Sequence, residues 1–247
     1  LLKFPFRRGE MAKIDFKAGI AKLRAKEGPP SPTSGPKEPE RYKFGKDEQG
    51  RENVRFIPIE IDFVEKCERA QLSYQGIPFN ELSQFQRVVL TKLRNGRTNA
   101  ILHGKTGTGK TVLCLIGLMY LYLAGKHVRV CRWSEIRVMY QPNFLASEGT
   151  NPRQLTSDFA KNEYLLIDEL GHGNLNLVRA TDHECQILQD IISARDAAHN
   201  YTWITCNQSL DKLKDLYGGA IFSRLMREGS RYTVNFNNEK DFRTGGL

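Results

Sequence analysis

The sequence predicts an α/β domain with a parallel sheet between two layers of helices. Three observations predict it. Strand-like apolar runs alternate with helix-like ones from residue 98 to residue 236. A glycine-rich octapeptide, Gly104-Lys105-Thr106-Gly107-Thr108-Gly109-Lys110-Thr111, lies between the first of these strands and a long apolar helix. Farther on, Tyr164-Leu165-Leu166-Ile167 runs directly into Asp168-Glu169, an apolar strand ending in an acidic pair.

The octapeptide has the G-x-x-x-x-G-K-[ST] spacing of a phosphate-binding P-loop, the Walker A motif. Its glycines let the backbone curl so that successive N–H groups face phosphate oxygens, which a Cβ at each position would obstruct. ATP with Mg²⁺ is the expected ligand pair. Lys110 is expected to reach the β- and γ-phosphates and Thr111 to hold the metal through its hydroxyl. Lys110 is also expected to be a surface lysine of an open loop, supporting no core. Residues 98–103 read as the strand entering the loop and residues 112–124 as the helix leaving it, with its N-terminal dipole toward the phosphates. That helix is too short to span a bilayer, so it is expected in the core.

Ahead of this unit, Asn80 or Ser83 caps a helix in which Phe85, Val89 and Leu93 recur at four-residue spacing with Val88 beside them, stopped near Gly96. Residues 54–59 read as extended and 61–72 as a short helix. Beyond the P-loop helix, residues 127–131 form a second strand, and Ser134 is expected to cap a helix running to Tyr140. Arg132, Trp133, Arg137 and Tyr140 offer charge with aromatic surface, which suits stacking on single-stranded bases. Trp133 and Tyr140 suit the core as well, and the core is the preferred reading. Residues 141–152 read as a polar loop.

The acidic pair gives the second chemical signal, a Walker B strand. Asp168 is expected to hold Mg²⁺ through its water shell, and Glu169 to orient and polarise the attacking water. His172, His183 and Cys185 have no spacing that completes a metal site. Residues 184–199 read as a helix, and residues 201–206 as a strand delivering Asn207 at its end. An amide there can hydrogen-bond the γ-phosphate or the lytic water. Helices over 210–217 and 220–227 and a strand over 231–236 complete the pattern.

The 247 residues suffice for one large domain, and a formal charge of +9 points to an anionic partner, nucleic acid first. A merely soluble basic protein is the bland alternative. Five cysteines without a CxxC pair, several inside apolar runs, argue for reduced core thiols and a cytoplasmic location. Residues 11–26 read as a basic amphipathic helix, either a tethered interaction element or a disordered tail, followed by a Pro-rich linker over 28–36. Residues 1–10 precede a plausible natural start at Met11. The expected division is a basic arm and linker over 1–50 and a nucleotide-binding domain over 51–247.

Taken together, GKTGTGKT, LLIDELG, WITCNQSL and IFSRLMREGSRYTVNF resemble the AAA+ ATPases of helicase loaders of the DnaC and DnaI type and their transposition relative IstB. The similarity covers roughly residues 74–243. It implies a three-layer P-loop domain without a large helical lid. By resemblance Asn207 is sensor I, and Arg224 in Ser223-Arg224-Leu225 is an arginine finger that completes a neighbouring subunit's ATP site, with Arg227 its rival. Arg243 is the nearest match to sensor II. The implied function is ATP-dependent loading of a replicative DnaB-type hexameric helicase onto single-stranded DNA, with self-association through the ATP site and no membrane partner. Two alternatives stand beside it: an IstB-like transposition helper that binds target DNA, and a non-hydrolysing nucleotide-dependent adaptor. The chain departs from DnaI-like proteins in having no cysteine/histidine module ahead of the ATPase, and its loop over 171–181 is longer than expected.

Overall fold

The computed structural model describes residues 40–46, 52–58, 82–95, 97–171, 179–226 and 231–239. Two strands, β1 (Glu40–Lys46) and β2 (Glu52–Pro58), pair antiparallel in a hairpin of their own. Residues 40–46 fall in the stretch expected to be arm and linker, so the 50/51 division lies between two paired strands. The helices expected over 11–26 and 61–72 lie outside the described residues.

The remaining elements are α1 (Gln84–Arg94), β3 (Asn99–His103), α2 (Lys110–Leu123), β4 (Val128–Arg132), α3 (Trp133–Met139), α4 (Pro142–Ser147), α5 (Pro152–Lys161), β5 (Tyr164–Leu170), α6 (Asp182–Ala197), β6 (Tyr201–Cys206), α7 (Leu210–Leu225) and β7 (Arg231–Asn235). The five strands β3–β7 form one sheet in the order β4-β5-β6-β3-β7, every pair parallel. Strand side chains alternate between two cores, the period of two that a pleated strand imposes. Ile101, Cys131, Leu165, Ile167 and Ile204 pack under α3 to α7. Ala100, Leu102, Val130, Leu166 and Trp203 pack under α1 and α2. A parallel sheet covered on both faces explains why these strands read as continuous apolar runs.

Several local readings are corrected. Ser134 does not cap α3. The helix starts at Trp133, and the Glu135 carboxylate accepts the backbone N–H of Arg132, the N-cap residue, at 2.9 Å. The expected polar loop over 141–152 contains α4, which starts at Pro142, the helix position where a missing N–H costs nothing. The following α5 is capped by Asn151 and buries Leu155 and Phe159. In α1, Ser83 is the cap, in a reciprocal capping box with Gln86. Its buried face is Gln86, Val89, Leu90 and Leu93, whereas Phe85 and Val88 are exposed. Trp133 and Tyr140 are buried, so the core reading holds for both.

Two features stiffen the frame. Arg195 is fully buried and donates to the carbonyls of Phe159, Asn162, Glu163 and Tyr201 and to the Thr202 hydroxyl. It ties the end of α6 to the starts of β5 and β6, and burial pulls its pKa down to about 9. In α7 the backbone kinks at Gly218 (φ 80°, ψ 159°), a conformation that only glycine adopts without strain. The kink lies between the two helices that the sequence predicts.

Candidate functional site

The site lies at the C-terminal ends of β3, β5 and β6, where open parallel sheets place their ligand crevice. Strand β3 ends at His103, whose backbone carbonyl accepts the Phe236 N–H at 2.7 Å. The loop then turns through Gly104 (φ 125°), Gly107 (φ 81°) and Gly109 (φ 87°), all left-handed. A Cβ on Gly104 would come within 2.9 Å of the Asn237 backbone nitrogen. Lys105 and Thr106 are exposed, while Gly107, Thr108 and Lys110 are buried.

Helix α2 opens at Lys110 with Gly109 as a left-handed N-cap and no side-chain cap. Helices α3 and α4 also lack a side-chain cap, whereas α1, α5, α6 and α7 each have one first-turn amide accepted by Ser83, Asn151, Thr181 or Ser209. An uncapped helix start beneath a curled loop leaves N–H groups directed at whatever the loop encloses, which fits a phosphate chain. Here the expectation for Lys110 is corrected. It is 5% exposed, not a surface lysine. Its ammonium donates to the carbonyls of Gly104 (2.8 Å) and Lys105, so it braces the loop's own backbone.

Asp168 is 6% exposed, and its Oδ1 accepts two hydroxyls, Thr111 Oγ1 at 2.8 Å and Thr205 Oγ1 at 2.6 Å. The first of these brings together the P-loop threonine and the strand-end carboxylate, the two residues expected to hold Mg²⁺. Hydroxyl and carboxylate oxygens side by side are the hard donors that suit Mg²⁺. Glu169 has φ 58°, a left-handed conformation that costs a residue with a Cβ about 1–3 kcal/mol. It is half-buried, and its N–H donates to Thr205 Oγ1 at 2.9 Å. Asn207 follows β6 and is half-buried between the ends of β5 and β3.

The other candidates stand apart. Arg224 is exposed on α7, with its guanidinium on Ser193 of α6. Arg243, Arg227 and His172 lie outside the described residues. His183 and Cys185 sit in the first turn of α6, and no group of three or more His, Cys, Asp or Glu with metal-binding geometry occurs among the described residues.

Among the residues that escaped the sequence reading, three lie around the P-loop. Asn237 accepts the Lys105 N–H at 3.1 Å through its side chain and so straps the loop's first turn to the exit of β7. Gln86 donates to the Thr108 carbonyl at 3.5 Å from the start of α1. His103 is buried with Nδ1 unpartnered, and burial first, then the Lys110 charge, lowers its pKa below the ordinary 6.5. Asn237 and Gln86 are more than twenty residues of chain from the loops they touch, and no local pattern marks them.

The model of the family described as IstB-like ATP binding protein matches residues 73–235. The chain belongs to that family. No curated protein sequence matches it. Among solved structures, this IstB-like domain resembles DnaI, with a TM-score of 0.53 at 16% identity over 71% of this chain and 93% of that one. It resembles AMPPCP-bound DnaA from Aquifex aeolicus, with a TM-score of 0.51 at 16% identity over 66% of this chain and 50% of that one. A replication initiator DnaA bound to AMPPCP and single-stranded DNA gives 0.50 at 14% identity, over 62% and 47%. The chain thus spans about half the length of the DnaA structures. These likenesses establish the fold of the IstB-like domain as the P-loop AAA+ type with a parallel five-stranded sheet. No helix among the described residues is long and apolar enough to cross a membrane.

Proposed function

We propose that this IstB-like protein is an ATPase whose hydrolysis cycle drives loading of a replicative DnaB-type hexameric helicase onto single-stranded DNA. The observation that carries the hydrolytic reading is the acidic pair at the end of β5, Asp168 bonded to the P-loop threonine and Glu169 beside it in a left-handed backbone. Strained backbone at a residue with a Cβ persists where a site requires a particular aim of the side chain. A protein that only bound nucleotide has no use for an acid so placed.

The residues divide the work as follows. The loop amides from Thr106 to Thr111, including the uncapped start of α2, bind the phosphates, while the Gly104 and Lys105 amides anchor the loop to Cys206 and Asn237, and Lys110 exchanges its loop carbonyls for phosphate oxygens. Thr111 and Asp168 would hold Mg²⁺, which when bound supplies charge neutralisation at the phosphates. Glu169 takes the proton of the attacking water. Asn207 orients that water or the terminal phosphate, and Arg224 serves the site of a neighbouring subunit.

The choice of an anionic partner is supported by an uneven charge distribution. Between Glu81 and Glu135 there is no Asp or Glu, and Arg87, Lys92 and Arg97 within that stretch are exposed. The helicase partner rests on the motif resemblance and on the fold shared with DnaI. The transposition-helper reading shares every residue of the chemistry and differs in its partner.

The test is Glu169→Gln. The variant should bind a fluorescent ATP analogue with affinity close to that of the wild type and hydrolyse ATP roughly 100-fold more slowly or worse, the usual contribution of a general base. It should also hold its helicase partner in a stable complex with ATP. A hydrolysis rate near that of the wild type removes Glu169 from its role. Stable capture of duplex target DNA, with no helicase contact, selects the transposition helper.

A further inference from the structure

We infer that Thr205 is a positioning residue for the hydrolytic step, setting the two acids of β5 from the neighbouring strand. This rests on the ATPase reading above and extends it to a residue to which the sequence reading gave no role. The argument begins with register. Ile167 pairs with Ile204 and Leu170 with Cys206, so two residues of β5, Asp168 and Glu169, stand opposite the single residue Thr205. Such a bulge re-aims the side chains of the strand that carries it.

A threonine hydroxyl has one proton to donate and lone pairs to accept with, and here both are used. The proton goes to Asp168 Oδ1 at 2.6 Å, and a lone pair takes the Glu169 N–H at 2.9 Å. Thr205 is 1% exposed, so no water substitutes for it. The same Asp168 oxygen is bonded from the other side by Thr111 at 2.8 Å. Asp168 is thereby fixed between the P-loop helix and β6. Glu169 is held by its backbone in the conformation that directs its side chain away from the regular strand path.

Nothing in this arrangement requires Thr205 to touch nucleotide. Its hydroxyl acts through the two acids, and mostly through the left-handed turn of Glu169. Removing it takes the acceptor from that part-buried N–H and lets the bulge relax, which moves the carboxylate. The P-loop amides and Lys110 are untouched, so binding survives while turnover does not.

The experiment compares Thr205→Val with Thr205→Ser in steady-state ATP hydrolysis by the full chain, with single-stranded DNA and the helicase partner present. The valine variant should lose roughly 10- to 100-fold in kcat, the effect of an ångström-scale misplacement, with KM for ATP and affinity for a fluorescent ATP analogue within about threefold of the wild type. The serine variant keeps both hydrogen bonds and should recover to within about threefold of the wild-type rate. In a Glu169→Gln background Thr205→Val should cost much less than in the wild type, because the Glu169 carboxylate is gone and only the contact to Asp168 is left to lose. If the valine variant fails to bind the analogue, Thr205→Ala removes the hydroxyl without the extra methyl and repeats the test. A kcat within about twofold of the wild type for the variants lacking the hydroxyl overturns the proposal, as does a parallel loss of binding and turnover that serine does not restore. A wild-type protein that binds ATP but never turns it over overturns the ATPase reading itself, and Thr205 falls with it.

Discussion

An ammonium group that donates to two carbonyls of its own loop has to release them before it can grip an anion. Lys110 is in that position, and its role in the loop is structural as well as chemical. Lys110→Ala should lower affinity for a fluorescent ATP analogue by about two orders of magnitude, since charge-assisted bonds to phosphate are lost. It should also lower the unfolding free energy by roughly 1.5–3 kcal/mol, the usual worth of a hydrogen bond to a charged group, read from a urea titration. Undiminished affinity would remove Lys110 from the nucleotide site. The acids Asp168 and Glu169 were legible at this scale because four apolar residues ending in two carboxylates form an unusual pattern. Thr205 was not. A threonine inside Trp203-Ile204-Thr205-Cys206 looks like any β-branched residue in a buried strand, and its partners are brought to it only by strand pairing.

At the scale of elements, the sequence was clearest where one signal governed and least clear where two competed. The strands of the parallel sheet and α2 were evident because burial on both faces makes their runs largely apolar, whereas β1 fell in the stretch read as arm and linker. Helix α1 was found but rotated. A four-residue spacing put Phe85 on the buried face, whereas Gln86 takes that place by reaching Thr108. Helices α4 and α5 escaped notice because their polar faces dominate short segments. One cross-element contact carries a pH signature. Glu184, in the first turn of α6, accepts Arg137 of α3 at 2.7 Å and the Thr181 N–H at 3.0 Å. Burial alone would raise the carboxyl's pKa, but these bonds outweigh it and hold the folded value below the ordinary 4.5. A folded pKa below the unfolded one means that the unfolded state binds more protons in acid. The stabilisation is therefore complete above the unfolded value and lost as pH falls through the folded one. Glu184→Gln should be less stable than the wild type by about 1 kcal/mol at pH 7, with the gap in urea midpoint closing below pH 4.5. A gap that stays constant into strong acid would show that charge plays no part in this contact.

At the scale of the whole molecule, the question is which residues of one subunit serve another. Arg224 is exposed on α7 and rests on Ser193. If it completes a neighbour's site, Arg224→Ala should bind ATP normally and lose stimulated hydrolysis, while Lys110→Ala keeps its finger and loses its site. Each should be inactive alone, and an equimolar mixture should recover part of the activity through mixed sites. A mixture that co-assembles and stays inactive contradicts the assignment. The parallel sheet itself was legible from alternating runs. Its strand order was not, because nothing in β6 announces that it will insert between β3 and β5.

That insertion has a consequence for how the protein is made. Strand β3 carries the P-loop, yet both of its neighbours, β6 and β7, come from much later in the chain. Roughly a hundred residues separate the loop from the end of β6, so at about 5–20 residues per second a growing chain holds an unpaired β3 for some 5–20 s. Strands β4 and β5 can pair with each other in that interval, but the backbone edges of β3 wait for β6 and β7. Translation pauses placed between β3 and the end of β6 should prolong the exposure of both edges, pauses between β6 and the end of β7 that of one edge, and later pauses neither, so the cost of a slow codon depends on where it falls relative to these two strands.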